Sequence, residues 1–154
     1  MSDLALVWGD FSADMMVDGG DLVLDDSLQT AVIISLFTDR RADDGDVLPV
    51  EFGSDRRGWW GDAFPYEDGD RIGSKLWLLN REKEMQVVLD RAEQYAREAL
   101  QWLIDDRVCD RIDIEAEIVR PGWLGLGITI HRPDTDPVEY RFNYAWDAQE
   151  ARAA

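Results

Sequence analysis

Ile112-Asp113-Ile114-Glu115-Ala116-Glu117-Ile118 alternates apolar and acidic residues without a break. A period of two belongs to a strand with one face in a core and the other in water. The alternation resumes beyond Pro121-Gly122, where Leu124, Leu126, Ile128 and Ile130 share a face. It resumes again beyond Pro133-Asp134-Thr135-Asp136-Pro137 with Val138, Tyr140, Phe142, Tyr144 and Trp146. Proline, glycine and aspartate at those junctions supply the turns. The pattern predicts a three-stranded antiparallel meander, followed from Ala148 by a short frayed tail.

A sheet with one apolar face must be covered, and the chain offers a matching helix. Met85, Val88, Leu89, Ala92, Ala96, Ala99, Leu100 and Leu103 recur at spacings of three and four. They make one apolar stripe on a helix predicted from Asn80 to about Asp106, with Glu93 and Arg97 pairing on its exposed side. Ser74 is placed to cap a shorter helix through Leu79. Farther upstream, Asp26 and Gln29 form a capping box before the apolar run Ala31 to Phe37. Val32-Ile33-Ile34 would also suit a strand; the cap, with Leu28, Ala31, Val32 and Leu36 at helical spacing, decides for a helix. Leu4 to Trp8 and Met15 to Leu24 read as short strands with Gly19-Gly20 at a tight turn, a small hairpin. The predicted architecture is α+β: an antiparallel sheet, C-terminal meander plus N-terminal hairpin, packed against two or three helices. The 154 residues suit a single domain over 1–154, and no internal repeat is visible.

Between Ala42 and Gly73 the chain changes character, with five glycines, Pro49 and Pro65, and dispersed aromatics. Long loops of this kind are functional or partly disordered. Phe52, Trp59, Trp60, Phe64 and Tyr66 argue that much of this one is pinned. Its centre, Asp55-Arg56-Arg57-Gly58-Trp59-Trp60-Gly61-Asp62, sets two arginines beside two tryptophans, the residue types that most often anchor interfaces. Two readings stand together: an indole pair plugging the core, or a docking surface. Adjacent arginines point apart, so one can bind inward and one outward. Their forks suit a carboxylate, either a partner's or the chain's own Asp55 and Asp62.

Leu48-Pro49-Val50-Glu51-Phe52-Gly53-Ser54-Asp55-Arg56-Arg57-Gly58-Trp59-Trp60-Gly61-Asp62, followed by Gly73-Ser74-Lys75-Leu76-Trp77-Leu78-Leu79, resembles the Mu-like phage tail family called gene product forty-six. Thr30 to Arg41 and Ala92 to Leu103 fit the same pattern, so the resemblance runs from about Asp21 to Glu117. It implies a structural wedge component of a contractile tail baseplate, similar to small wedge proteins that carry a lysozyme-like label. The implied partners are other baseplate or tail proteins in a hetero-oligomeric assembly, built into the virion tail after synthesis in the bacterial cytoplasm. Among such relatives a Glu-Pro-Arg tripeptide after the long helix contacts neighbouring chains. Here the place reads Asp105-Asp106-Arg107-Val108, which keeps an acid and an arginine but lacks the proline. The residues expected to bind partners are Arg56, Arg57, Trp59, Trp60, Asp106 and Arg107. Arg107 has a plainer reading as well, satisfying carbonyls at the negative end of the helix.

Composition narrows the alternatives. Sixteen basic residues against 33 acidic ones leave a net charge of −17, which repels nucleic acid and anionic membranes. The acids are spread along the chain as a solvated surface, or complement a basic neighbour. Cys109 is the sole cysteine, so no intrachain disulfide forms, and the first residues show neither a basic leader nor a long apolar run. A muramidase-like hydrolase would need two carboxyls at defined separation. Glu51, Asp55 and Asp62 surround the aromatic loop, with Glu51 and Asp62 the pair to test, but no spacing selects them. Cys109 and His131 lack a third orienting group. One histidine and one cysteine build no zinc site, and neither Asp43-Asp44-Gly45-Asp46 nor Glu67-Asp68-Gly69-Asp70 has calcium-loop spacing. No cofactor is expected. An acidic adaptor unrelated to phage is the remaining alternative.

Overall fold

The computed structural model describes residues 3–9, 12–22, 24–25, 28–65, 68–81, 85–147 and 152. Six short strands come first: β1 (Asp3–Leu4), β2 (Leu6–Trp8), β3 (Ala13–Met15), β4 (Val17–Asp18), β5 (Asp21–Leu22) and β6 (Leu24–Asp25). They pair antiparallel as β1 with β6, β2 with β3 and β4 with β5. The stretch 3–8 thus binds 24–25 at one end and 13–15 at the other, and the β4–β5 hairpin projects between them. Gly19 and Gly20 turn that hairpin with φ of 59° and 87°. Positive φ at both central residues is what a two-residue turn needs to match strand twist. The expected hairpin is present, extended into a ribbon.

Helix α1 spans Gln29–Phe37 and buries Thr30, Val32, Ile33, Ser35 and Leu36. The β-branched run is helical because Val32, Ile33 and Leu36 lie on one face and enter the core together. The Asp26 cap falls outside the described residues, and Leu28 gives the helix no side-chain cap. The two buried hydroxyls are satisfied: Trp102 Nε1 donates to Ser35 Oγ at 3.0 Å, and Thr30 Oγ1 takes the Leu6 N–H at 3.1 Å.

Helix α2 spans Met85–Asp105. The long helix predicted from Asn80 is shorter, because Leu76–Arg81 forms a 3-10 segment of its own. Ser74 does cap that segment: its Oγ accepts the Leu76 N–H at 3.3 Å while donating to the Leu36 carbonyl. The expected apolar stripe of α2 is buried at Val88, Ala92, Ala96, Ala99, Leu100 and Leu103, with Leu89 half-buried against the core, Tyr95 added and Met85 exposed at the end. Glu93 does not pair with Arg97. Its Oε1 accepts the Ala116 N–H at 3.2 Å and so covers part of the sheet's open edge.

α2 ends in a Schellman arrangement. The Arg107 N–H reaches the Ile104 carbonyl at 3.0 Å and the Val108 N–H reaches Leu103 at 2.8 Å. Arg107 holds φ at 59° where glycine is usual. It accepts strain of roughly 1 kcal/mol. The Trp102, Leu103 and Ile104 carbonyls are therefore satisfied by backbone amides, and among the described residues the Arg107 guanidinium makes no hydrogen bond or ion pair.

The meander is β7 (Arg111–Arg120), β8 (Trp123–His131) and β9 (Val138–Ala145), in that order. Its register aligns Ile112 with Ile130 and Val138, Ile114 with Ile128 and Tyr140, and Ala116 with Leu126 and Phe142. Every apolar alternation read from the sequence therefore faces the same way. That face meets α2, α1 and Leu76 to Leu79 in one contiguous core. Asp113, Glu115 and Glu117 line the opposite, exposed face.

Candidate docking loop

Residues 39–74 leave α1 and return to it. The Ser74 N–H donates to the Thr38 carbonyl and the Arg40 N–H donates to Ser74, both at 2.9 Å. The two ends of the loop are thereby stapled together. Gly73 makes the staple possible: its φ is 97°, and a Cβ there would overlap the Thr38 carbonyl.

Inside the staple, charged groups brace the loop. Arg57 turns inward with φ of 54°, and its guanidinium pairs with Asp39 at 2.5 Å while lying 4.5 Å from the Phe52 ring centroid. Burial pushes the Asp39 carboxyl above the usual carboxylate range, and Arg57 offsets part of that shift. Arg56 also turns back on its own chain, donating to the backbone carbonyls of Asp43 and Asp44. Neither arginine takes Asp55 or Asp62 as its carboxylate. Asp55 accepts the Arg57 backbone N–H at 2.8 Å, and Asp62 accepts that of Ile72 at 3.2 Å. Lys75, mostly buried, pairs with Asp43 at 2.5 Å and Asp46 at 2.8 Å. Burial opposes its charge, but those two hydrogen bonds outweigh it and hold the ammonium above the usual lysine range. Part of the acidic turn 43–46 is thus an internal clamp.

The indoles behave differently. Trp60 is 78% exposed and Trp59 46%, their rings 5.5 Å apart and tilted by 47°. Trp59 rests on Gly61, where any Cβ would collide with its ring. Val50 at 86% and Phe64 at 81% exposure extend the apolar surface along the same loop. The sequence marked neither as exposed. Phe52 is pinned, edge-on to Trp77 at 5.6 Å, whereas Tyr66 lies outside the described residues.

Asp106 and Arg107 occupy the exposed turn after α2. Among the described residues no hydrogen bond or ion pair joins them to the loop. They form a separate place on the surface.

Glu51 is exposed and Asp62 is bound to Ile72. Cavities of about 300 and 220 Å³ open beside Trp8, and neither is lined by Glu51 or Asp62. Cys109 is buried in the core, where burial and then the Asp110 charge push its thiol up, away from nucleophilic use. The His131 imidazole is engaged by Asp113 at 2.7 Å. Among the described residues no three potential ligands converge on a metal position, and no helix is long and apolar enough to cross a membrane.

Comparison with known proteins accounts for nearly the whole chain. The family model described as phage protein GP46 matches residues 28–137, which include the loop. The baseplate protein gp46 of Escherichia phage Mu is 48% identical over 147 residues, 96% of this chain and 99% of the relative. The Mu-like prophage FluMu protein gp46 of Haemophilus influenzae is 42% identical over 146 residues, 95% of this chain and 98% of the relative. The chain belongs to the phage GP46 family, as a structural component of a Mu-type tail baseplate.

Proposed function

We propose that this chain works without catalysis, docking neighbouring baseplate chains through the loop that carries Trp59 and Trp60. The observation behind this reading is the contrast within one loop. The guanidiniums are used internally to hold its shape, while adjacent indoles face solvent. Large aromatic groups gain most from burial, and a rigid support lowers the ordering cost of docking. Arg56 and Arg57 act in this account as braces, with Trp59 and Trp60 as the contact residues. Asp106 and the unengaged guanidinium of Arg107 are a second, separate contact.

Trp60→Ala tests the reading. An exposed side chain contributes little to folding, so the melting temperature should change by a few degrees at most. Truncating an anchor costs about 2 kcal/mol or more, roughly 30-fold in affinity, and incorporation into tails should fall accordingly. Unfolding of the variant, or normal incorporation, would contradict it. Peptidoglycan cleavage by the purified chain, abolished by Glu51→Gln, would instead favour the muramidase reading.

A further inference from the structure

The N-terminal ribbon is a further surface, explained neither by the indole loop nor by the turn at Asp106 and Arg107. Its root is held firmly. Trp8 stacks on Phe37 with centroids 3.8 Å apart and donates its indole N–H to the Asn143 carbonyl at 2.6 Å. The Thr30 hydroxyl donates to the Leu4 carbonyl at 3.2 Å. Beyond that root, every residue from 12 to 22 is exposed. Met15, Met16, Val17 and Leu22 are among them, Val17 at 63%, and Leu24 is 61% exposed as well. A ribbon of two-residue and three-residue ladders is marginal in water, and a run of large apolar side chains along it marks a surface that another molecule covers.

Charge selects the cover. Residues 1–26 hold seven aspartates and no lysine, arginine or histidine. Asp14, Asp18 and Asp21 are exposed among the apolar side chains. A second copy of this chain, at −17, would oppose like charge with like, and so would an anionic lipid surface. We infer that the ribbon is a docking arm for a basic protein surface. Its occupant is a strip of another tail chain where apolar pockets for Met15, Met16 and Val17 are flanked by lysine or arginine. The β4–β5 hairpin, narrow at Gly19-Gly20, is the tip that enters it. The ribbon precedes the family-matched stretch, which starts at residue 28. The inference rests on the chain being an assembly component, but uses none of the residues assigned to the indole loop.

A photoactivatable benzoylphenylalanine at Val17, in chains incorporated into tails, tests this. The expected product joins Val17 to a peptide of a different tail chain that carries lysine or arginine within a few residues of the linked position. The triple change Asp14→Lys, Asp18→Lys, Asp21→Lys should lower that yield on the order of tenfold, since like charges now face each other. The melting temperature should change by a few degrees at most, because all three sites are exposed and Asp14 and Asp21 each hold only the backbone N–H of the next residue. The same probe at Phe64 reports on the indole loop. Capture at Phe64 with only self-linked, copy-to-copy or no product at Val17 overturns the arm and leaves the loop reading standing. A captured peptide without basic residues, or a yield unaffected by charge reversal, overturns the arm as well. Silence at both positions removes the docking account altogether.

Discussion

Gly73→Ala is expected to destabilise the protein by about 3 kcal/mol or more, although it adds a single methyl group. A left-handed φ of 97° already disfavours any L side chain. The new Cβ would also be driven into the Thr38 carbonyl, which is backbone and cannot rotate away. Thr38 is itself fixed, because its carbonyl accepts the Ser74 N–H at 2.9 Å. Relief therefore requires opening the staple between α1 and the loop's return, and with it the Ser74 hydroxyl bond to Leu36. A urea midpoint measures the loss. Gly45→Ala is the control, since a Cβ there meets nothing within 4 Å. Equal midpoints for the two variants would mean that the staple is not closed in solution.

Ile128→Ala is the other large effect, at about 3 to 4 kcal/mol. Ile128 is 0% exposed in the central strand, opposite Ile114 on one side and Tyr140 on the other. Removing its branched chain leaves a hole between sheet and helix that three strands in fixed register cannot close. Thr129→Ala, one residue on, points to the other face and should cost less than 1 kcal/mol. Similar losses at both positions would contradict the facing assigned to β8.

The same facing was readable in advance, because period-two alternation and helical spacing are local signals. Ile112 to Ile118 and Val88 to Leu103 needed no knowledge of the rest of the chain. A break near Asn80 was readable from the Ser74 cap and the change from the continuous run Leu76 to Leu79 to a three-and-four spacing. The 3-10 winding of Leu76–Arg81, which carries that segment past Leu79, was not, since it is a matter of turn geometry. The braces were hidden for another reason. Arg57 had Asp55 and Asp62 nearby in sequence, yet its carboxylate is Asp39, brought to it by the path of the loop. Lys75 likewise meets Asp43 and Asp46 across some thirty residues of chain. Composition identified the indoles as notable but left open whether they were core or surface. Exposure resolves that in favour of surface for Trp60 above all.

Hydroxyl-radical footprinting of the tryptophans, in the free chain and in isolated baseplates, tests the central claim most directly. Trp77 and Trp146, 4% and 3% exposed, should be protected in both states and serve as internal references. Trp60 should oxidise readily in the free chain and become protected on the order of tenfold in baseplates, as expected for an indole at the centre of an interface. Equal oxidation of Trp60 in both states would contradict the claim that this braced loop docks through its indoles.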